Sequence, residues 1–140
     1  MFSQTLTLRL RDSDAAGAVY FASLLALCHD VYEAFWESQG LNLGAFLRET
    51  GLALPIVRSE MDYRRPLGWG QRLEIQMTVV NLERRQFETH YQIFNPETPP
   101  VLLAGAALRH VCICPVSRQR RDLPEPWRQV LAAEAGRVDS

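Results

Sequence analysis

The chain has 140 residues, 47% of them hydrophobic and 22% charged, with a formal net charge of −1. That length and balance fit one soluble domain, residues 1–140, burying roughly two-thirds of its unfolded surface. They give no overall basic field for nucleic acid. No apolar run approaches the ~20 residues of a membrane span. Residues 1–5 lack the charged start and apolar core of a signal peptide. The expectation is therefore a cytoplasmic protein with neither nucleic acid nor membrane as partner.

Residues 2–11 alternate, with Leu6, Leu8 and Leu10 opposite Thr5, Thr7, Arg9 and Arg11, which predicts a half-buried strand. A loop of small residues follows, Ala15-Ala16-Gly17-Ala18, with the carboxylates Asp12 and Asp14 at its start. From about residue 22 to 39, Leu24, Leu25, Leu27, Cys28, Val31, Tyr32, Phe35 and Trp36 recur at helical spacing. Asp30, Glu33 and Glu37 lie on the other side. Gly40 is placed to end this helix, and residues 43–49 predict a short second one.

The second half reads as strands. Residues 54–64 are extended, interrupted early by Pro55, and 66–70 form a turn by their Pro and Gly content. Residues 72–80 and 87–94 alternate, joined by a polar connection at 81–85. After a loop with three prolines, residues 101–114 are almost continuously apolar, as a strand covered on both faces would be. Gly105 and its alanines are expected to leave room for the helix. Arg109 and His110 interrupt that run and each needs a partner, for which a dimer interface is one source. A basic stretch, 117–121, precedes a terminal helix over 126–135 anchored by Trp127, with the last residues expected to be mobile. One long helix and one antiparallel sheet of about five strands make an α+β two-layer domain. Its uncovered sheet edge predicts self-association.

Cys28, Cys112 and Cys114 sit in apolar segments and are expected to be reduced, mostly buried thiols. No Cys/His cluster has ligand spacing, so no metal is expected. The loop is the stretch with chemical potential. The first turn of the helix after it offers unpaired N–H groups that can polarise a carbonyl oxygen, and a carboxylate just ahead can attack that carbonyl or activate water. The plain alternative is that Asp12 or Asp14 caps the helix or closes an Asx-turn. His29 and Glu33 are spaced to pair on the helix. Ser59, Met61 and Tyr63 share a strand face that either lines a pocket or packs the core.

The segment Asp12-Ser13-Asp14-Ala15-Ala16-Gly17-Ala18-Val19-Tyr20-Phe21, followed by the apolar helix, resembles the signature of hot-dog-fold acyl-CoA thioesterases of the 4-hydroxybenzoyl-CoA thioesterase type. The resemblance runs from Leu6 to about Leu131. Cys28-His29, Ala53-Leu54-Pro55, His110-Val111-Cys112-Ile113 and Leu123-Pro124-Glu125-Pro126-Trp127 are similar to segments of the cyanobacterial branch that hydrolyses 1,4-dihydroxy-2-naphthoyl-CoA, a step of phylloquinone synthesis. The resemblance implies Asp14 as nucleophile or general base and the Phe21 backbone N–H as carbonyl polariser. Asp12, Gly17 and Tyr20 would shape the active-site loop. Ser59 and Tyr63 would line the acyl site, and Arg84, Arg85 and Arg118 would meet coenzyme A phosphates. It implies no cofactor beyond the coenzyme A of the substrate, and a homodimer paired into a homotetramer. An envelope-linked branch carries a histidine where this chain has Phe21, which favours an aromatic acyl group here. Another aromatic or medium-chain acyl-CoA, or a non-catalytic acyl-binding domain, remains the alternative.

Overall fold

The computed structural model describes residues 1–13 and 21–136, the side chain of Phe21 excepted. The element order is β1 (Phe2–Thr7), α1 (Phe21–Ser38), α2 (Phe46–Thr50), β2 (Ile56–Tyr63), β3 (Arg72–Val80), β4 (Gln86–Asn95), β5 (Val101–Val111) and α3 (Trp127–Ala135). The strands form one antiparallel sheet in the order β1-β3-β4-β5-β2. The two strands nearest the chain start in sequence, β1 and β2, are its edges.

One face of α1 makes the core. Leu24, Cys28, Val31, Tyr32, Phe35 and Trp36 are all buried, at the three- and four-residue spacing that lines one side of a helix. Each contributes about 1.5–3 kcal/mol of burial by the usual area scaling. They pack on Leu73, Ile75, Met77, Phe87, Tyr91 and Ile93, the inward residues of β3 and β4. The helix ends in a Schellman motif. Gly40 takes φ +75°, its N–H reaches the Glu37 carbonyl, and the Leu41 N–H reaches Trp36, each at 3.0 Å.

Several elements differ from the sequence reading. The first strand stops at Thr7, not Arg11. Residues 10–12 turn into a short 3₁₀ helix, which leaves Leu10 68% exposed while Leu8 stays buried. The fifth strand ends at Val111, not Cys114, because the chain there changes neighbours. Cys112 bonds Arg85 and Arg121, and Ile113 bridges Ala53 and Arg120. Gly105 does not face α1. It is level with Gln92 and Asp62 on the opposite, half-exposed face of the sheet. The continuous apolar run hid this, since it carries no alternation to read. That outer face holds a shallow cavity of about 520 Å³ with Gly105 and Ala107 at its floor. Cys28 and Cys112 are buried free thiols, whereas Cys114 is half-buried. Residues 137–140, expected to be mobile, lie outside the described residues.

Arg109 and His110 find partners within the chain. Arg109 donates to Glu88 at 3.1 and 3.2 Å. His110 is fully buried between the rings of Tyr32, 4.4 Å away, and Phe87, 4.7 Å away. Its Nε2 lies 2.9 Å from the Thr89 hydroxyl, which accepts from the Tyr91 hydroxyl at 2.8 Å. Burial, with repulsion from His29 second, pushes the imidazole down to about 3 from its ordinary 6.5. The unfolded chain therefore binds a proton that the folded chain refuses. His110 stabilises the fold fully above pH 6.5, and that contribution falls away as pH drops towards 3. Glu88 and Asp122 are held low by their partners. Their contributions are lost only as pH falls below the ordinary carboxylate range. Urea midpoints should thus fall between pH 6.5 and 5 in the wild type and stay nearly flat over that window in His110→Phe. Equal slopes would remove His110 as the cause.

α3 closes the far side of the core. Trp127 lies 4.6 Å from Trp36 and 4.7 Å from Phe46, centroid to centroid. Glu134, itself buried, meets the Met1 ammonium at 2.7 Å.

Candidate active site

The chain enters the candidate loop under tight local control. Leu8 exchanges backbone bonds with Gln71 and Gly70, at 2.8 and 2.9 Å, which fixes it beside the start of β3. The Asp12 carboxylate accepts the Arg9 N–H at 2.9 Å, and the Asp12 N–H donates to the Arg9 carbonyl at 2.9 Å. The Ser13 hydroxyl donates to the Leu10 carbonyl at 2.7 Å. Asp12 is buried and its carboxylate closes its own turn. Asp14, Gly17 and Tyr20 lie outside the described residues, as does the side chain of Phe21. The backbone of Phe21 opens α1, whose first turn carries no acidic residue. Its N–H groups thus face no carboxylate from their own turn, and the helix dipole adds partial positive charge there.

Below that turn the helix is apolar. Burial pushes the Cys28 thiol up to about 12, so it is no nucleophile at neutral pH. Ser59, Met61 and Tyr63 alternate along β2 on the α1 side of the sheet, level with Leu108, Ala106 and Ala104. Met61 is half-buried, and Tyr63 is 46% exposed. Partial burial and then the nearby Cys28 raise the Tyr63 phenol above its ordinary value. Further along the helix, a groove of about 390 Å³ runs between α1 and α2, lined by His29, Tyr32, Phe46, Leu47, Leu54 and Ile56. His29 lies 3.4 Å from Glu33.

The arginines fall elsewhere. Arg84 and Arg85 both bind Asp122, each at 2.9 Å. Arg118 sits in a left-handed turn at φ +65°, and Arg120 reaches Gln86 at 3.4 Å. Asp122 was missed by sequence reasoning. The signal was available, a lone carboxylate next to Arg120 and Arg121, but its partners are 37 and 38 residues away in sequence. This cluster lies at the β3–β4 hairpin, whereas Thr7, the last residue of β1, meets Arg72 at the opposite end of β3. The structure brings Arg84 and Arg85 together on Asp122.

No helix among the described residues is long and apolar enough to cross a membrane. No group of three or more His, Cys, Asp or Glu side chains suited to a metal occurs among them.

A five-stranded antiparallel sheet with the 18-residue helix α1 packed on one face is the hot-dog architecture of thioesterases. The chain belongs to the thioesterase-like superfamily, whose family model matches residues 8–133. It is 47% identical over 126 residues to a 1,4-dihydroxy-2-naphthoyl-CoA hydrolase of Gloeothece citriformis, covering 90% of this chain and 88% of that one. It is 45% identical over 131 residues to the enzyme of the same name from Rippkaea orientalis, covering 94% and 95%. Among solved structures, a 1,4-dihydroxy-2-naphthoyl-CoA thioesterase from Synechocystis superposes with a TM-score of 0.88 at 34% identity, covering 94% of this chain and 95% of that one.

Proposed function

We propose that this chain hydrolyses 1,4-dihydroxy-2-naphthoyl-CoA to the free acid and coenzyme A, the thioesterase step of phylloquinone synthesis, in the cytoplasm. The observation that carries the reading is near-full-length identity of 45–47% to hydrolases of that name. It also fits the 4-hydroxybenzoyl-CoA thioesterase type of chemistry. Asp14 attacks the thioester carbonyl or activates water against it. The Phe21 N–H at the head of α1 takes up the charge that develops on the carbonyl oxygen. Asp12 holds the loop, Gly17 and Tyr20 shape it, and Tyr63, with Ser59, borders the acyl group. No metal or resident cofactor takes part, since a carboxylate and oriented N–H groups suffice for thioester hydrolysis. The working unit is a homodimer, paired into a homotetramer. The edge strand β2 supports this reading, because it presents Ile56, Val57 and Tyr63 to solvent in a single subunit.

Rates on three thioesters test the substrate. A planar bicyclic acyl group freezes few rotors on binding. A site that bonds its hydroxyls rejects analogues lacking them. The value of kcat/KM is expected to fall from dihydroxynaphthoyl-CoA to benzoyl-CoA and again to palmitoyl-CoA. A preference for palmitoyl-CoA would overturn the naphthoyl assignment and leave the thioesterase class standing.

A further inference from the structure

Of the three tryptophans, Trp36 and Trp127 are 0% and 2% exposed, but Trp69 is 64% exposed. Tryptophan is highly buried on average, so an open one asks for a cause. Trp69 stands at the tip of a turn that the fold holds firmly. The Gln71 N–H donates to the Gly68 carbonyl and the Gly68 N–H to the Gln71 side-chain oxygen, each at 3.3 Å. Gly70 closes the turn at φ +85°. Glycine on either side offers no side chain to cover the indole.

The same corner of the sheet holds a second open apolar side chain. The Gly70 N–H donates to the Leu8 carbonyl at 2.9 Å. Leu8 is buried, and Leu10, two residues on, is turned out to 68% exposure. Both segments are basic. Residues 7–11 and 64–72 hold Arg9, Arg11, Arg64, Arg65 and Arg72 and no carboxylate. All five arginines are exposed. Ion pairs among the described residues engage Arg58, Arg84, Arg85 and Arg109 but none of these five. The next carboxylate along, Asp12, is buried and accepts the Arg9 N–H. Among the described residues, the exposed carboxylates at that end of the sheet are Asp62 and Glu97.

Two side chains are too few for the core of a stable protein interface. An indole and a leucine among guanidinium groups suit an anionic bilayer instead. Trp settles at the headgroup level, the aliphatic side chain enters the acyl boundary, and arginine is drawn to the lipid phosphates. One apolar element and one basic patch together give reversible attachment. We propose that the Leu10–Trp69 corner docks this protein on an anionic membrane surface. The lack of a long apolar run excludes a span, not a contact of this kind. The Ser13 hydroxyl donates to the Leu10 carbonyl at 2.7 Å, so docking carries the entry to the candidate loop to the lipid surface. The docking does not depend on the catalytic reading.

Vesicles test it on the full chain. Trp36 and Trp127 are already buried, so a change in emission reports Trp69. Phosphatidylglycerol vesicles should sediment the protein, move its emission to shorter wavelength and shield it from acrylamide. Phosphatidylcholine vesicles should bind it about fivefold more weakly or worse. Salt at about 1 M, with a screening length of about 3 Å, should release it. Leu10→Ser with Trp69→Ala should weaken binding about tenfold or more. Arg11→Gln with Arg65→Gln should weaken it about fivefold per charge. All four side chains are exposed, so urea midpoints should hold; should one fall, wild-type sedimentation and emission decide. No sedimentation with phosphatidylglycerol overturns the proposal. So does sedimentation with unchanged emission, which places the lipid contact elsewhere, and so does full binding by the Leu10 and Trp69 variant. An emission shift that grows with protein concentration in the absence of vesicles would assign the corner to a second copy of the chain and overturn it as well.

Discussion

Asp14→Asn is expected to keep the fold and lower kcat by about 10²-fold or more, the usual range for loss of a catalytic nucleophile or base. The amide has nearly the shape of the carboxylate but neither attacks a carbonyl nor takes a proton from water. KM should change little, because the substrate's contacts are made elsewhere. Asp12→Asn is the control. Asp12 spends its carboxylate on the Arg9 N–H at 2.9 Å, and an amide oxygen can accept the same bond, so a smaller loss is expected there. Near-normal turnover in a folded Asp14→Asn protein would remove Asp14 from the chemistry. Circular dichroism beside steady-state kinetics reads both quantities.

The largest effect on stability is expected at Trp127. Its indole is 2% exposed and lies against both Trp36 and Phe46. Trp127→Ala removes the transfer free energy of the ring and leaves a cavity that rigid aromatic neighbours do not fill, a loss of about 3–5 kcal/mol. That is a large part of the stability of a domain this size. Trp127→Phe should recover more than half of it by refilling the site. A drop below about 1 kcal/mol for Trp127→Ala in urea unfolding would mean that α3 is not anchored through this ring.

Much of the fold was legible because its periodicities are clean. The α1 stripe from Leu24 to Trp36 and the alternation of β3 name their buried faces outright, and Gly40 marks the helix end by the positive φ it adopts. The failures fell where tertiary contacts overrule a local pattern. Leu10 continues the leucine alternation of the first strand, yet the Asp12 carboxylate draws the chain into a turn before it. Val101 to Leu108 is apolar throughout, so nothing local says which side Gly105 faces. His110 read as a buried residue that needs a partner, with a dimer interface as only one source of it. Its partners were Thr89, 21 residues earlier, and two aromatic rings on separate elements. Of the candidate site, the loop motif was plain in the residues. The clustering of Arg84 and Arg85 with Asp122 was not, because only the folded hairpin brings those segments together.

The way the chain after β5 seals the hairpin end bears on the order of assembly during synthesis. Leu123 donates to Arg84, Arg121 to Cys112, and Ile113 is held by Ala53 on one side and Arg120 on the other. β1 must meanwhile wait for β3, some seventy residues later, as the Ser3–Glu74 hydrogen bond shows. Pairings so distant in sequence form slowly. A ribosome therefore makes every strand before it makes the segment and the Trp127 helix that lock one end of the sheet and cover Trp36. A nascent chain stalled just after β5 would expose an uncapped aromatic core, the kind of surface that chaperones bind and that aggregates when left alone.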